Sequence, residues 1–283
     1  MNEDGTTMSF RKRWKSFWRR IFERRHQPKN SKIWRGDYPS WKAAEASSRG
    51  YDAEVILEKC RTAGMKVKRG EAAYERDSVL FDQVQYSWGL LAGLQLGAAR
   101  NAGRLSVMDF GGSLGSTYFQ NLRFLERLPR FEWNIVEQAK FVRVGQADFQ
   151  DEALRFHHSI DDCVKARRPN VAVLSSSLQY LPDPHAALEE IIGHDFDVVI
   201  LDRTPFIATE RDLLTVQTVP ASIYQASYPA WFFSRKGLER HFEAGYDLLA
   251  RTPSWCTSPA FINSAHLASW EGVIFVKKTP PSR

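Results

Sequence analysis

The chain has 283 residues, of which 43% are hydrophobic and 25% charged, and its mean hydropathy is -0.41. This length suffices for one large domain or two small ones with a real core, and the composition is that of a globular protein. The longest apolar runs, such as residues 198–201, are far shorter than the roughly 18 residues of a membrane-spanning helix. The three cysteines are widely spaced, so we expect no metal site, no disulfide framework and a reducing cytoplasm.

The positive charge is concentrated near the amino terminus. The formal net charge is +6, but residues 11–29 hold nine Lys and Arg against one Glu, so this segment carries +8 and the remaining residues sum to -2. The part of the chain outside residues 11–29 is mildly acidic, whereas a domain that binds nucleic acid usually carries a basic surface. We therefore do not expect a nucleic-acid partner.

Apolar side chains in this basic segment recur at the spacing of one helix face. They are Phe10, Trp14, Phe17, Trp18, Ile21 and Phe22. An aromatic stripe beside a cationic face is typical of a helix that lies on an anionic membrane, so residues 9–25 predict peripheral association with the inner membrane face. Two alternatives stay open, namely docking on the chain's own domain or a partner, and a nucleic-acid arm. Residues 1–30 are interpreted as tail and linker.

Residues 31–100 predict a helical amino-terminal cap. Ser40 is expected to cap a helix that begins at Trp41, and helical patterns follow at residues 51–63 and 78–99. Between them, residues 71–77 cluster charged and aromatic side chains. Two interpretations stay open: a solvated turn in which Glu75 or Asp77 pairs with Arg76, or a segment that covers a nearby pocket.

A glycine-rich turn at residues 111–115 is the most informative feature of the sequence. It follows an apolar strand at 105–110 and precedes a helix predicted at 116–125. Such a turn lets the backbone approach a ligand closely. The dinucleotide fingerprint fails because Ser113 and Ser116 stand where later glycines belong, and the P-loop lysine is absent. Asp109, directly before the turn, suits a cationic ligand such as S-adenosylmethionine.

The following strands and helices alternate, which predicts an α/β fold with a mostly parallel sheet and helices on both faces. Strands are expected at 132–137, 153–160, 170–175 and 197–202, a helix at 184–192, and closing strands at 246–251 and 272–278, the last antiparallel. Glu137 ends the second strand, where a carboxylate can accept both hydroxyls of a ribose. We expect a Rossmann-like domain at 101–283 with an insertion at about 203–232.

Seven fragments resemble those of a bacterial family of class I S-adenosylmethionine-dependent methyltransferases, often linked to cell-surface polysaccharide synthesis. They are GDYPSW (36–41), YERD (74–77), DFGGSLG (109–115), VEQ (136–138), SSSLQYL (175–181), DRTPF (202–206) and ASYP (226–229). The resemblance spans residues 33–278 and implies a Rossmann-like methyltransferase sheet. One departure is Ser113, which replaces the usual middle glycine of the loop.

The resemblance also implies a cofactor site. Its residues would be Asp109, Gly111, Gly112, Ser113 and Gly115 at the methionine end, Glu137 at the ribose, and Gln138, Ser175 and Gln179 from the matched fragments. For a hydroxyl acceptor a general base is useful, and we expect Asp202 in this role, with His157 and His158 as the alternatives. The acceptor is expected to contact Tyr74, Arg76, Arg203, Gln217, Tyr224 and Tyr228.

Two functions from different classes remain. The first is methyl transfer to a small-molecule, glycan or glycolipid intermediate of polysaccharide synthesis. The second is a non-catalytic scaffold that keeps the methyltransferase fold. Hydride transfer is disfavoured because the dinucleotide fingerprint is missing.

Overall fold

The structure is a computed structural model that describes residues 29–50, 53–220, 225–255 and 257–279. The predicted membrane segment at 9–25, Tyr224 and Cys256 lie outside the described residues. Membrane association of that segment therefore stays a prediction from the sequence.

Strands and helices alternate through most of the chain. The strands are β1 (Lys29–Asn30), β2 (Trp34–Arg35), β3 (Tyr74–Arg76), β4 (Val79–Phe81), β5 (Arg104–Phe110), β6 (Arg130–Val136), β7 (Leu154–His157), β8 (Val171–Ser175), β9 (Val198–Ile207), β10 (Leu213–Thr218), β11 (Ser227–Ser234), β12 (Tyr246–Pro253), β13 (Ala260–Ile262) and β14 (His266–Lys277). The α-helices are α1 (Trp41–Ala46), α2 (Ala53–Lys68), α3 (Trp88–Arg100), α4 (Ser116–Leu125), α5 (Ala139–Val144), α6 (Ile160–Arg167), α7 (Pro184–Gly193) and α8 (Arg235–Glu239).

The main sheet has the strand order β1-β13-β14-β9-β8-β5-β6-β7. Strands β5 to β9 are mutually parallel, and β14 is antiparallel to both β9 and β12, as predicted. The chain runs outward from β5 to β7 and then returns to the other side of β5 as β8. Open α/β sheets bind ligands at such a switch point, outside the carboxyl ends of the strands. The predicted Rossmann-like α/β fold is confirmed.

Both faces of this sheet are covered by apolar side chains. One hydrophobic cluster joins Leu94 of α3 and Tyr118 of α4 to Trp133 of β6. A second cluster on the other face contains Cys163 of α6 and Leu188 of α7. Parallel strands that are buried on both faces have continuous apolar sequences, so these strands could be predicted from the sequence.

The amino-terminal region differs from its prediction in one place. Helix α1 begins as expected, with the Ser40 hydroxyl accepting from the Ala43 N–H. The predicted helix at 78–99 is wrong over its first part, because β4 pairs with β3 and the helix α3 begins only at Trp88. The two residues of the turn, Asp77 and Ser78, have φ of +51° and +66°, which is the left-handed geometry of a tight hairpin turn.

The segment after β9 forms a small antiparallel layer. Strand β10 pairs with β11 along its whole length and also with β2 from the amino-terminal region. Strand β11 then joins the main sheet beside β9, where Phe233 lies opposite Phe206. Strand β9 itself continues five residues beyond its predicted end at Asp202.

Within the described ranges, no helix combines the length and the apolarity needed to span a bilayer.

Candidate functional site

The turn after β5 has a backbone that demands glycine. Gly111 has φ of +73°, and a Cβ atom there would lie 2.6 Å from Cβ of Ser177. A Cβ atom on Gly112 would lie 2.5 Å from the Asp109 carboxyl group. Gly115 has φ of +101° at the start of α4. The turn therefore presents bare backbone to the space above it.

That space is a cavity of about 250 Å³ at the carboxyl ends of β5, β6, β8 and β9. We call it the main cavity; its floor is Gly111, Gly112, Ser113, Glu137, Ser175 and Ser176, and its roof is the β3–β4 hairpin with Ile56 and Cys60 of α2. A neighbouring side cavity of about 400 Å³ lies over the ends of β6 and β8. The two cavities share Gly111, Glu137, Ser176 and Tyr180.

Glu137 lies on the boundary between the two cavities. Its Oε2 accepts the N–H of Gln138 at 2.7 Å. Burial raises the pKa of Glu137, while hydrogen bonds from the backbone N–H groups of Gln138 and Ser113 act in the opposite direction. A carboxylate placed at the end of the second parallel strand can reach a ligand that occupies both spaces.

Asp109 does not reach either cavity, which corrects its predicted role as a ligand contact. Its side chain is fully buried beneath Gly112, and its Oδ2 accepts the indole N–H of Trp133 at 3.0 Å. Burial raises the pKa of Asp109 to about 7. The carboxyl group supports the turn from below because the backbone of the turn separates it from the ligand space.

Glu75 is the cavity-facing acid that the sequence did not single out. It lies on β3 with only 6% of the residue exposed, and it lines the main cavity. The Ser116 hydroxyl donates to its Oε1, and the Ser78 N–H donates to its Oε2 at 3.1 Å. Burial, together with the nearby negative charge of Asp77, raises the pKa of Glu75 to about 7.

Two interpretations of residues 71–77 were open in the sequence: a solvated turn in which Glu75 or Asp77 pairs with Arg76, or a segment that covers a nearby pocket. The structure favours the second, because residues 74–77 line the main cavity. The Arg76 guanidinium stacks against the rings of Phe81 and Trp255, at 4.9 and 4.8 Å from their centroids.

Strained backbone surrounds the main cavity. Four of its lining residues that are not glycine have positive φ: Asp77 at +51°, Ser113 at +53°, Ser176 at +58° and Arg203 at +52°. Such conformations cost about 1 to 3 kcal/mol each and concentrate at functional sites. The four residues lie on four different segments, so the shape of the cavity is imposed by the surrounding fold.

The outer wall of the main cavity is aromatic and cationic. The rings of Tyr180 and Tyr228 pack edge to face with centroids 5.4 Å apart. The Tyr180 hydroxyl donates to Oε1 of Gln217 at 2.9 Å. The Arg203 guanidinium, in the middle of β9, lies 3.9 Å from the carboxylate of Asp77 in the hairpin turn.

The structure brings together many of the predicted site residues. Those that line the main cavity are Tyr74, Arg76, Gly111, Gly112, Ser113, Glu137, Ser175, Arg203 and Tyr228. Gln138 lines the side cavity. Gln179 is buried and donates to Ser176 at 2.9 Å, while Gln217 supports Tyr180 from behind. Gly115 caps α4.

None of the three predicted bases lines the main cavity, and His158 lines the side cavity. Asp202 is 4% exposed, and its two oxygens accept the hydroxyls of Ser87 at 2.8 Å and Ser175 at 2.7 Å. Because both oxygens are engaged, Asp202 holds α3 to the end of β8 and does not line the main cavity. His157 contacts Asn134 at 3.3 Å, and burial lowers its pKa. Its neighbour His158 is the histidine that lines the side cavity.

Among the residues that the structure describes, no three or more His, Cys, Asp or Glu side chains lie close enough together to hold a metal ion.

Comparison with known proteins gives structural likenesses only. No protein-family model and no curated protein matches the sequence. Among solved structures, the N-terminal domain of EvdMO1 in the presence of SAH and D-fucose is 15% identical, with a TM-score of 0.45 over 81% of this chain and 98% of that one. CalS10, an amino pentose methyltransferase from Micromonospora echinaspora, is 12% identical, with a TM-score of 0.43 over 68% of this chain and 92% of that one.

A third structure is the glycopeptide N-methyltransferase MtfA complexed with sinefungin. It is 11% identical, with a TM-score of 0.43 over 76% of this chain and 96% of that one. These scores are low, so the function of this chain must be argued from its own residues.

Proposed function

We propose that the chain is an S-adenosylmethionine-dependent methyltransferase. The observation that carries this proposal is a glycine turn at the switch point of the sheet, with the Glu137 carboxylate at the boundary of two neighbouring cavities. The turn accepts close approach of a ligand backbone. Glu137 can accept hydrogen bonds from two ribose hydroxyls.

The charges around the turn favour this cofactor over a dinucleotide. Glu75 and Glu137 line the main cavity, and Asp109 lies directly beneath Gly112. Three acids within one small region would repel a pyrophosphate but suit a ligand that carries an ammonium and a sulfonium. S-adenosylmethionine supplies an electrophilic methyl group when bound.

The protein's contribution to such a transfer is positioning and exclusion of water. The β3–β4 hairpin covers the glycine turn, and its Asp77 reaches Arg203 at the far wall. The acceptor would enter beside Tyr180, whose hydroxyl donates to the Gln217 amide oxygen, and Tyr228, whose ring packs against that of Tyr180. These residues hold the acceptor in line with the cofactor.

The acceptor within this proposal is a glycan or glycolipid intermediate of cell-surface polysaccharide synthesis. Support comes from the tyrosine pair and Trp255 around the main cavity, because flat aromatic faces pack against sugar rings. The basic segment at 9–25 would bring the enzyme to an anionic membrane where a glycolipid resides. This last step rests on the sequence alone.

A non-catalytic scaffold remains the second candidate. It is favoured by one observation: neither Asp202 nor His157 lines the main cavity. Under this alternative the chain binds the cofactor, or only a partner, without turnover of any acceptor.

Calorimetric titration of the full chain with S-adenosylmethionine and with NAD tests the proposal. We expect binding of S-adenosylmethionine alone, and Glu137→Gln should weaken it about 10- to 100-fold, since hydrogen bonds to a charged group contribute about 1.5 to 3 kcal/mol. The matched control is Glu132→Gln, which changes a carboxyl on β6, the strand that directly precedes Glu137, outside both cavities. Absence of binding in the wild-type protein would reject the proposal.

A further inference from the structure

Glu75 is a buried acid without a cationic partner. No ion pair within 4.0 Å joins it to a lysine, arginine or histidine among the residues that the structure describes. Within the described ranges, its oxygens accept from the Ser116 hydroxyl and the Ser78 N–H. A buried carboxylate with no counter-charge is costly unless a partner arrives. Because Glu75 also faces the main cavity, a bound ligand can provide that partner.

We propose that Glu75 binds the ammonium group at the amino-acid end of the cofactor, an inference that rests on the proposed function. Asp109 was expected to take this part, but the glycine turn separates it from the ligand space. Asp77 is engaged with Arg203 across the cavity, and Glu137 lies at the end of β6. Glu75 is therefore the acid left at the glycine turn, brought there by the hairpin and not by the Rossmann-like core.

The surroundings of Glu75 suit an amino acid as a whole. Helix α4 begins beside it at Ser116, and no side chain caps the start of this helix. The first N–H groups of α4 can donate to the carboxylate of an amino acid, and the negative charge of Glu75, beside the start of the helix, can pair with its ammonium. A zwitterion would thus find a complementary group for each of its charges.

Binding of the ammonium should release a proton. The charged groups that face Glu75 are Asp77, which raises its pKa, and Arg203 and Arg76, which lower it. From α2, Cys60 faces the same space as a neutral thiol, because burial raises its pKa to about 12. Burial outweighs the arginines, so the pKa of Glu75 lies at about 7 in the free protein. An adjacent ammonium stabilises the ionised form and displaces the proton to the buffer.

Two ligands that differ in the amino-acid end test the contact between Glu75 and the ammonium group independently of the rest of the site. S-adenosylhomocysteine carries the amino-acid end, and 5′-methylthioadenosine lacks it. In Glu75→Gln, affinity for S-adenosylhomocysteine should fall about 10- to 100-fold, the usual range for a charge-assisted hydrogen bond. Affinity for 5′-methylthioadenosine should stay within about twofold, which also shows that the variant is folded. The matched control is Glu71→Gln, an exposed acid that precedes the same hairpin.

A second measurement uses the wild-type protein alone. Titration near pH 7 in buffers of different ionisation enthalpy should show proton release with S-adenosylhomocysteine and markedly less with 5′-methylthioadenosine. Equal proton release for the two ligands, or equal losses of affinity for both in Glu75→Gln, would overturn the assignment of Glu75 while leaving the proposed function intact. If neither ligand binds the wild-type protein, the proposed function fails first and this inference falls with it.

Discussion

Replacing Asp109 by asparagine should stabilise the protein at alkaline pH. The side chain is fully buried, and burial raises its pKa from 3.8 to about 7. A folded-state pKa above the unfolded one means that the folded protein holds a proton that the unfolded chain has already released. Stability contributed by Asp109 is therefore present below about pH 4 and is lost as the pH rises through about 7.

The size of the effect follows from that shift in pKa. A change from 3.8 to about 7 corresponds to roughly 4 kcal/mol of unfolding free energy between acid and alkaline conditions. Asparagine has the same shape and does not titrate, and its carbonyl oxygen can still accept the indole N–H of Trp133. The variant should thus match the wild type near pH 4 and exceed its stability by up to about 4 kcal/mol near pH 8.

Urea unfolding of both proteins across this range measures the difference directly. Asp247→Asn serves as the control because this residue lies exposed on the edge strand β12. Glu75 is present in the wild type and in both variants, so its contribution to the pH dependence of unfolding cancels when the proteins are compared. A difference between Asp109→Asn and wild type that stays constant with pH would refute the argument, as would a variant that is less stable near pH 8.

Three further changes test other parts of the molecule. Gly97→Ala should lower the free energy of unfolding by about 1 to 3 kcal/mol, because its Cβ would overlap a side chain of β8, whereas Gly193→Ala meets nothing within 4 Å and should be close to neutral in urea unfolding. Asp212 raises the pKa of His185, to which it is hydrogen-bonded at 2.6 Å, so the stability from this pair is present below about pH 6.5 and is lost as the pH rises through the folded pKa; Asp212→Asn should remove this dependence, and an unchanged pH profile of unfolding would disprove it. Removal of residues 1–28 should abolish sedimentation with anionic vesicles, whereas neutral vesicles should bind even the full-length protein only weakly. Equal sedimentation of the full-length and truncated proteins with anionic vesicles would exclude a membrane role for this segment.

Local patterns in the sequence were enough to predict the parallel strands of the sheet and the glycine turn. The strand at 104–110 and the helix at 116–125 are marked by apolar runs and by glycines whose backbone the turn requires. The hairpin of β3 and β4 was missed because its strands have three residues each and its turn lacks glycine. Asp77 and Ser78 adopt left-handed φ there without the usual sequence signal.

The roles of individual acids could not be predicted in the same way. Asp109 and Glu75 have similar side chains, yet one supports the glycine turn from beneath and the other faces the cavity. Asp202 was predicted to end its strand, but β9 continues to Ile207, and Ser87, from a distant part of the sequence, donates to the carboxylate. The hydrogen-bond partners of these acids depend on tertiary packing, so the position of an acid near the end of a strand does not predict them.

The pairing of β2 with β10 limits how this protein could exchange parts with its relatives. The Trp34 indole donates to Oε1 of Gln217, the same oxygen that receives the Tyr180 hydroxyl, so a residue near the beginning of the described chain is two hydrogen bonds from the cavity wall. A chimera that takes only the segment between β9 and α8 from another protein would separate Gln217 from its tryptophan. Exchange of this part of the cavity wall would therefore require both segments to be transferred together, although 183 positions separate Trp34 from Gln217.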